Sequence, residues 1–184
     1  MNPIHLRNIP PPAETFNHIH FLTVIAHWLK PERYLELGCR WGTSLIPISS
    51  YCKEVLAVDM NPPSYNIPQN CKVSISSTDD FFRSLDPDIK FDMVFIDADH
   101  SHEQSLLDFK NVKDRVIENG FVFLHDTSPY NEEYTKPNLC NDAYKTAKWI
   151  KNNLNTEWEC VTLPFNPGLT ILKRMNLNKQ LAWK

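Results

Sequence analysis

Two groups of polar residues interrupt the apolar runs of this sequence, and both are of types that do chemistry. The first is Glu36, Gly38 and Gly42, followed about twenty residues later by Asp59. Glycines in a turn let backbone N–H groups approach a ligand, and a carboxylate at the end of the next strand can accept from both hydroxyls of a ribose. The second group is Asp97, His100 and His102, then His125 and Asp126. An imidazole at His100 or His102 could take a proton near neutral pH. Alternatively, a divalent ion held by oxygen ligands from adjacent strand ends could lower the pKa of a hydroxyl. His125 is a further candidate, as a catalytic group or as a ligand to a softer ion.

These residues need elements to position them. Arg33–Leu37 reads as a short apolar strand, followed by a glycine turn and a helix from about Gly42 to Tyr51. Val55–Val58 is a second strand, closed by Asp59. Such a strand–turn–helix–strand–acid unit is how α/β folds hold a nucleoside. A dinucleotide is disfavoured: bulky Arg40 and Trp41 stand between the only two glycines of the turn, and Glu36 would repel a pyrophosphate. Both features suit a ligand with a cationic amino-acid end. S-adenosylmethionine (SAM) has that shape, with its ribose for Asp59, its ammonium near the turn and its carboxylate near a helix N-terminus.

Further along, Thr15–Leu29 has helical periodicity, ended by Pro31. Val73–Ile75 is a third strand and Asp79–Ser84 a short helix. Phe91–Ile96 is a near-continuous apolar run ending at Asp97, as expected of a strand covered on both faces. A helix capped by Ser101 or His102 should reach about Ile117, with Gly120 in the turn after it. Phe121–Leu124 is the next buried strand and runs into His125-Asp126-Thr127. A helix over about Asn141–Asn153 precedes an antiparallel hairpin of Trp158–Leu163 and Leu169–Leu172. Five strands alternating with helices, then a hairpin, predict one α/β domain over residues 1–184: a doubly wound, Rossmann-like sheet with one reversed strand. Residues 1–12 read as an extended arm and 175–184 as a tail.

Composition narrows the function classes. With 19 Lys and Arg against 22 Asp and Glu, and no basic stripe, a nucleic-acid partner is not implied. No run of about twenty apolar residues suggests a membrane span, and the Pro-rich N-terminus lacks the apolar core of a signal peptide. Five scattered cysteines without a CxxC pair argue against a zinc cage or a disulfide framework and for thiols in a reducing cytoplasm.

Three segments carry a family resemblance: Glu36-Leu37-Gly38-Cys39-Arg40-Trp41-Gly42-Thr43-Ser44, Phe91 through Glu103, and Phe121 through Thr127, supported by Pro167-Gly168-Leu169-Thr170. Over roughly Arg33 to Lys173 the chain resembles class I SAM-dependent methyltransferases. Within them it is most similar to the small-molecule O-methyltransferase branch, with its sugar, macrolide and catechol O-methyltransferases and cephalosporin-hydroxylase-like proteins. The resemblance implies a sheet order of 3-2-1-4-5-7-6 with strand seven antiparallel. It implies that Glu36, Gly38, Cys39 and Gly42 line the methionine end of SAM, that Asp59 holds the ribose, that Thr78 and Asp79 border the adenine, and that Asp97 sits beside the methyl donor. Metal-dependent relatives ligate magnesium at the positions of Asp97 and Asp126. The sequence departs from the commonest motif at Arg40, where many methyltransferases have glycine.

Each residue also has a plainer role. Asp59 could cap a turn, Asp97 could cap a helix, and His100 could be a loop histidine bonded to backbone. His125 could be a buried histidine satisfied by a carbonyl, and Cys39 a small packing residue. His18, His20 and His27 read as surface or core residues of the first helix. The segment Ser128–Leu139 and the proline loop around Tyr65 read as lids. The expected function is transfer of a methyl group from SAM to a hydroxyl of a small molecule, a sugar or natural-product intermediate, with Asp97, His100 and His125 as the catalytic candidates. The chain is short for this branch, so a homodimer or partner subunit is expected to complete the site. The competing readings are a non-catalytic SAM-binding scaffold or partner-dependent subunit, and a nicotinamide oxidoreductase.

Overall fold

The structure, a computed structural model, describes residues 17–175. The expected arm and nearly all of the tail lie outside the described residues. The elements run α1 (His18–Leu29), β1 (Arg33–Leu37), α2 (Leu45–Ser49), β2 (Glu54–Asp59), β3 (Cys71–Ile75), α3 (Thr78–Ser84), β4 (Phe91–Ile96), α4 (His102–Lys113), β5 (Val116–His125), a 3-10 helix (Glu132–Thr135), α5 (Tyr144–Asn153), β6 (Trp158–Leu163) and β7 (Leu169–Arg174). They form one seven-stranded sheet of order β3-β2-β1-β4-β5-β7-β6. The first five strands pair in parallel and β7 is antiparallel to β5 and β6.

The near-continuous apolar strands are explained by cores on both faces of the sheet. Strand alternation sends Leu35, Leu37, Leu56, Val58, Val94, Ile96, Val122 and Leu124 to one face, where Phe81, Phe82, Phe109 and Ile150 of α3, α4 and α5 cover them. Tyr34, Val55, Ala57, Met93, Phe95 and Phe123 point to the other face, under Leu22 and Ala26 of α1 and Leu45 and Ile48 of α2. Local signals set the helix starts. Asn17 caps α1 through a bond from the His20 N–H, and Ser101 caps α4 through a bond from the Gln104 N–H. In α3, the Ser77 hydroxyl accepts from the Asp80 N–H and donates back to the Asp80 carboxylate.

Several boundaries differ from the sequence reading. The expected Gly42–Tyr51 helix shrinks to Leu45–Ser49, because residues 40–44 are taken up by the turn after β1. Helix α4 ends at Lys113 rather than near Ile117, and Gly120 lies inside β5 rather than in a turn. Val116 pairs with Phe91 and Phe121 with Met93, so the intervening residues of β5 form an irregularity that restores register.

Helix α1 runs toward the amino edge of the sheet, where β1 begins. A 12-residue helix spans about 18 Å, so its first residue, His18, is carried back to the carboxyl edge.

Candidate active site

The glycine turn at the end of β1 is tightly fitted. Gly38 has φ of 87°, and a Cβ there would fall 2.2 Å from the carbonyl oxygen of Asp97, so only glycine allows β1 and β4 to approach at this point. Its N–H donates to the Val58 carbonyl at 2.8 Å. Arg40 also adopts a positive φ, 36°, the conformation that the commoner glycine takes freely. Its N–H donates to Asp59 Oδ2 at 2.7 Å, and its guanidinium lies 3.9 Å from the exposed Trp41 ring. The Asn61 N–H donates to Asp59 Oδ1 at 2.8 Å. Gly42, with φ of 73°, faces the ring of Tyr65, 2.9 Å from where a Cβ would stand.

Glu36 is fully buried beneath this turn. It accepts from the Tyr34 hydroxyl at 2.7 Å and the Ser44 hydroxyl at 2.6 Å. Burial pushes its carboxyl up to about 7 despite these two bonds. Cys39 packs in the turn as a buried thiol pushed up to about 11 by burial, which removes it from consideration as a nucleophile. Thr78 and Asp79 open α3 at the end of β3. The side-chain amide of Gln104 on α4 lies 3.1 Å from Thr78 Oγ1, 3.2 Å from Asp79 Oδ1 and 3.1 Å from the buried Asp108 carboxylate.

The second group assembles at the ends of β4 and β5. His125 Nδ1 lies 3.0 Å from Asp97 Oδ1 and 3.5 Å from Asp126 Oδ2. His100 Nδ1 lies 3.0 Å from Asp126 Oδ2, and its Nε2 lies 3.5 Å from Asp97 Oδ1. The Leu139 carbonyl also contacts His100 Nδ1, which ties the loop after β5 to the cluster. Asp126 holds its place with φ of 59°, in the left-handed region that only short polar residues and glycine visit readily. His102 turns away from the cluster: its Nδ1 meets Thr146 Oγ1 of α5 at 2.9 Å.

The electrostatics follow from this pairing. Burial opposes ionisation of Asp97 and Asp126, yet the imidazoles beside them hold both carboxyls below the usual range. Asp126, then Asp97, pulls His100 up. Burial lowers His125, but Asp97 and Asp126 outweigh it and raise that imidazole. In this arrangement His100 and His125 are hydrogen-bond donors toward the carboxylates. The cluster can therefore donate hydrogen bonds to stabilise an oxyanion, and its ionised carboxylates can attract a cation.

One site residue was missed in the sequence. The sequence reads His18 as a surface or core residue, but its ring lies 4.0 Å from that of His125, centre to centre, and its Nδ1 lies 3.2 Å from His125 Nε2. Burial, then the neighbouring His125, lowers its pKa to about 4, so it stays neutral. No local signal marks it, because a histidine at the start of an amphipathic helix reads the same whether or not a sheet edge lies beside it. The structure brings Asp97, His100, His125 and Asp126 together, as the sequence suggested. It places Thr78 and Asp79 in a separate polar group with Gln104, and buries Glu36 rather than leaving it open to solvent.

Comparisons with known proteins agree with the architecture. The family model described as a methyltransferase domain matches residues 35–127, just over half of the chain, and spans both polar groups. No curated protein matches the sequence. Among solved structures, a methyltransferase of Podospora anserina bound to S-adenosylhomocysteine (SAH) superposes with a TM-score of 0.69 at 16% identity, covering 86% of this chain and 78% of that one. The O-methyltransferase TomG of Streptomyces achromogenes, involved in tomaymycin synthesis and solved with SAM, gives 0.66 at 14% identity over 89% and 82%. An O-methyltransferase of Bacillus cereus in complex with SAH gives 0.64 at 13% over 91% and 84%. At these identities the likeness is one of fold. Among the described residues no helix is long and apolar enough to cross a membrane. The match across the glycine turn, Asp97 and His125–Thr127 shows that the chain belongs to the methyltransferase-domain family.

Proposed function

We propose that the chain is a SAM-dependent O-methyltransferase acting on a hydroxyl of a small molecule, a sugar or a natural-product intermediate, in the cytoplasm. The observation that carries this reading is the contact between its two halves. Gly38 of the nucleoside-binding turn packs against the backbone of Asp97, which itself begins the carboxylate–imidazole cluster. SAM supplies a methyl group activated on a sulfonium. Asp59 would hold the ribose, the Gly38–Gly42 turn the methionine end, and Thr78 and Asp79 the adenine edge. Asp97, His100, His125 and Asp126 would orient the acceptor hydroxyl and stabilise the negative charge that develops on it. The solved relatives bound to SAM or SAH support the cofactor. The balanced charge supports a small acceptor over nucleic acid. A second copy of the chain is expected to help close the acceptor pocket.

The experiment is calorimetric titration of SAM into the full chain, followed by a mass-spectrometric screen of hydroxylated acceptors for a gain of one methyl group. Micromolar SAM binding and a methylated product support the reading, and absence of SAM binding overturns it. The second reading, a partner-dependent or non-catalytic scaffold, is favoured by one feature. Each Asp59 oxygen already accepts from one of the chain's own N–H groups, and the Tyr65 ring covers Gly42. SAM binding without any product would select it.

A further inference from the structure

The donor set around Asp97 does not suit magnesium. Mg2+ takes oxygen ligands in near-octahedral geometry, and the oxygens available here are engaged elsewhere. Asp97 and Asp126 are paired with imidazoles, and the buried Thr127 hydroxyl oxygen accepts from Thr170 at 2.8 Å. What converges on Asp97 instead is nitrogen. One potential ligand atom from each of His18, Asp97 and His125 lies within 4.8 Å of the others.

The spacing is that of ligands on one ion. His18 Nδ1 and His125 Nε2 are 3.2 Å apart. Two imidazole nitrogens at about 2.0–2.1 Å from a shared ion stand about 2.9 Å apart at a right angle and about 3.4 Å apart at the tetrahedral angle. His125 also has its other nitrogen, Nδ1, on the Asp97 carboxylate at 3.0 Å, the arrangement that orients a metal-ligating imidazole. Imidazole with carboxylate suits zinc, cobalt, nickel or iron(II) and not magnesium.

The geometry points to a divalent transition-metal site whose protein ligands are His18 Nδ1 and His125 Nε2, with Asp97 orienting His125 from its other nitrogen and His100 and Asp126 on its flank. His18 is supplied by α1, outside residues 35–127 that match the family model. The site lies on the acceptor side of the reading given above but does not require SAM. Its occupation can therefore be measured separately.

The test uses the untagged full chain, stripped with a chelator, with folding checked by circular dichroism. Zn2+, Co2+ and Mg2+ are each titrated calorimetrically, and the Co2+ form is examined for visible ligand-field bands. We expect one equivalent of Zn2+ or Co2+ to bind at least about 100-fold more tightly than Mg2+. His18→Ala and His18→Gln should each lose about tenfold or more in affinity, while His20→Ala, on the exposed side of the same helix, should lose none. Failure of the folded protein to bind Zn2+ or Co2+, equal or tighter Mg2+ binding, or unchanged affinity in both His18 variants would overturn the site. If the His18 variants do not fold, the Co2+ spectrum of the wild type decides, since nitrogen ligation at four-coordinate cobalt gives intense bands that oxygen ligation at six-coordinate cobalt lacks. SAM titrated into the same preparations separates the two ideas. SAM binding without metal binding overturns only this site, and metal binding without SAM overturns only the cofactor reading.

Discussion

His125 and Asp97 join the ends of β5 and β4 through a 3.0 Å contact between Nδ1 and Oδ1, and the same carboxylate oxygen lies 3.5 Å from His100 Nε2. One side chain thus organises two imidazoles. Asp97→Ala should leave both without this partner. We expect a loss of about 2–3 kcal/mol in stability, the scale of a hydrogen bond to a charged group, read from urea denaturation at constant m-value. Methyl transfer should fall by about 100-fold or more if the imidazoles it orients stabilise the charge developing on the acceptor. A variant as stable and active as wild type would show that the contact is incidental.

Glu36 predicts a pH dependence. The folded protein keeps its Glu36 proton up to about pH 7, whereas the unfolded chain loses it near 4.5. Between these values the folded state binds more protons, so this residue's contribution to stability falls as pH rises, by about 3 kcal/mol in all, and stays lost above the window. Glu36→Gln mimics the neutral acid. It should match wild type below pH 5 and exceed it at pH 8, as measured by paired denaturation curves. A variant that is relatively weaker at pH 8 than at pH 5 contradicts the assignment.

Asp59 predicts cofactor affinity. Asp59→Ala removes the acceptor proposed for the ribose and frees the N–H groups of Arg40 and Asn61. Losing a hydrogen bond to a charged group costs about 1.5–3 kcal/mol, so SAM should bind about 10–100-fold more weakly by calorimetry. Unchanged affinity would make Asp59 a turn cap only.

The two turn glycines should respond differently to alanine. At Gly38 the new methyl meets backbone atoms of Asp97 and Ala98 that cannot move away, and φ is positive. We expect a loss of about 3 kcal/mol or more. At Gly42 the obstacle is the Tyr65 ring, which can rotate or be removed. Gly42→Ala should cost about 1–3 kcal/mol, and Tyr65→Ala should relieve the steric share but not the backbone share. Thermal unfolding of the two single variants and the double variant measures this directly. Equal costs at the two glycines would show that β1 and β4 are less closely packed here than the structure indicates.

The sequence by itself determined the strands, their order of appearance and the residues at their carboxyl ends. A parallel strand covered on both faces must be apolar along its length, so Phe91–Ile96 and Phe121–Leu124 were legible as strands, and the first polar residues after them, Asp97 and His125, as edge residues. The expected capping residue placed the start of α4, and the start of α3 was legible to within one residue. The end of α4 and the irregular start of β5 were not legible. Helix ending there is decided by how Val116 and Phe121 each find a partner on β4, a long-range pairing that local propensity does not encode. Only the tertiary structure decided that His18 belongs to the cluster, that His102 does not, and that Glu36 lies sealed under the turn. The physical reason is the same in each case. Periodicity specifies which face of an element is apolar, but which neighbour its polar residues meet depends on where a packed helix starts relative to the sheet edge. For α1 that is set by the burial of Leu22 and Ala26 against a core whose other members are contributed by distant strands.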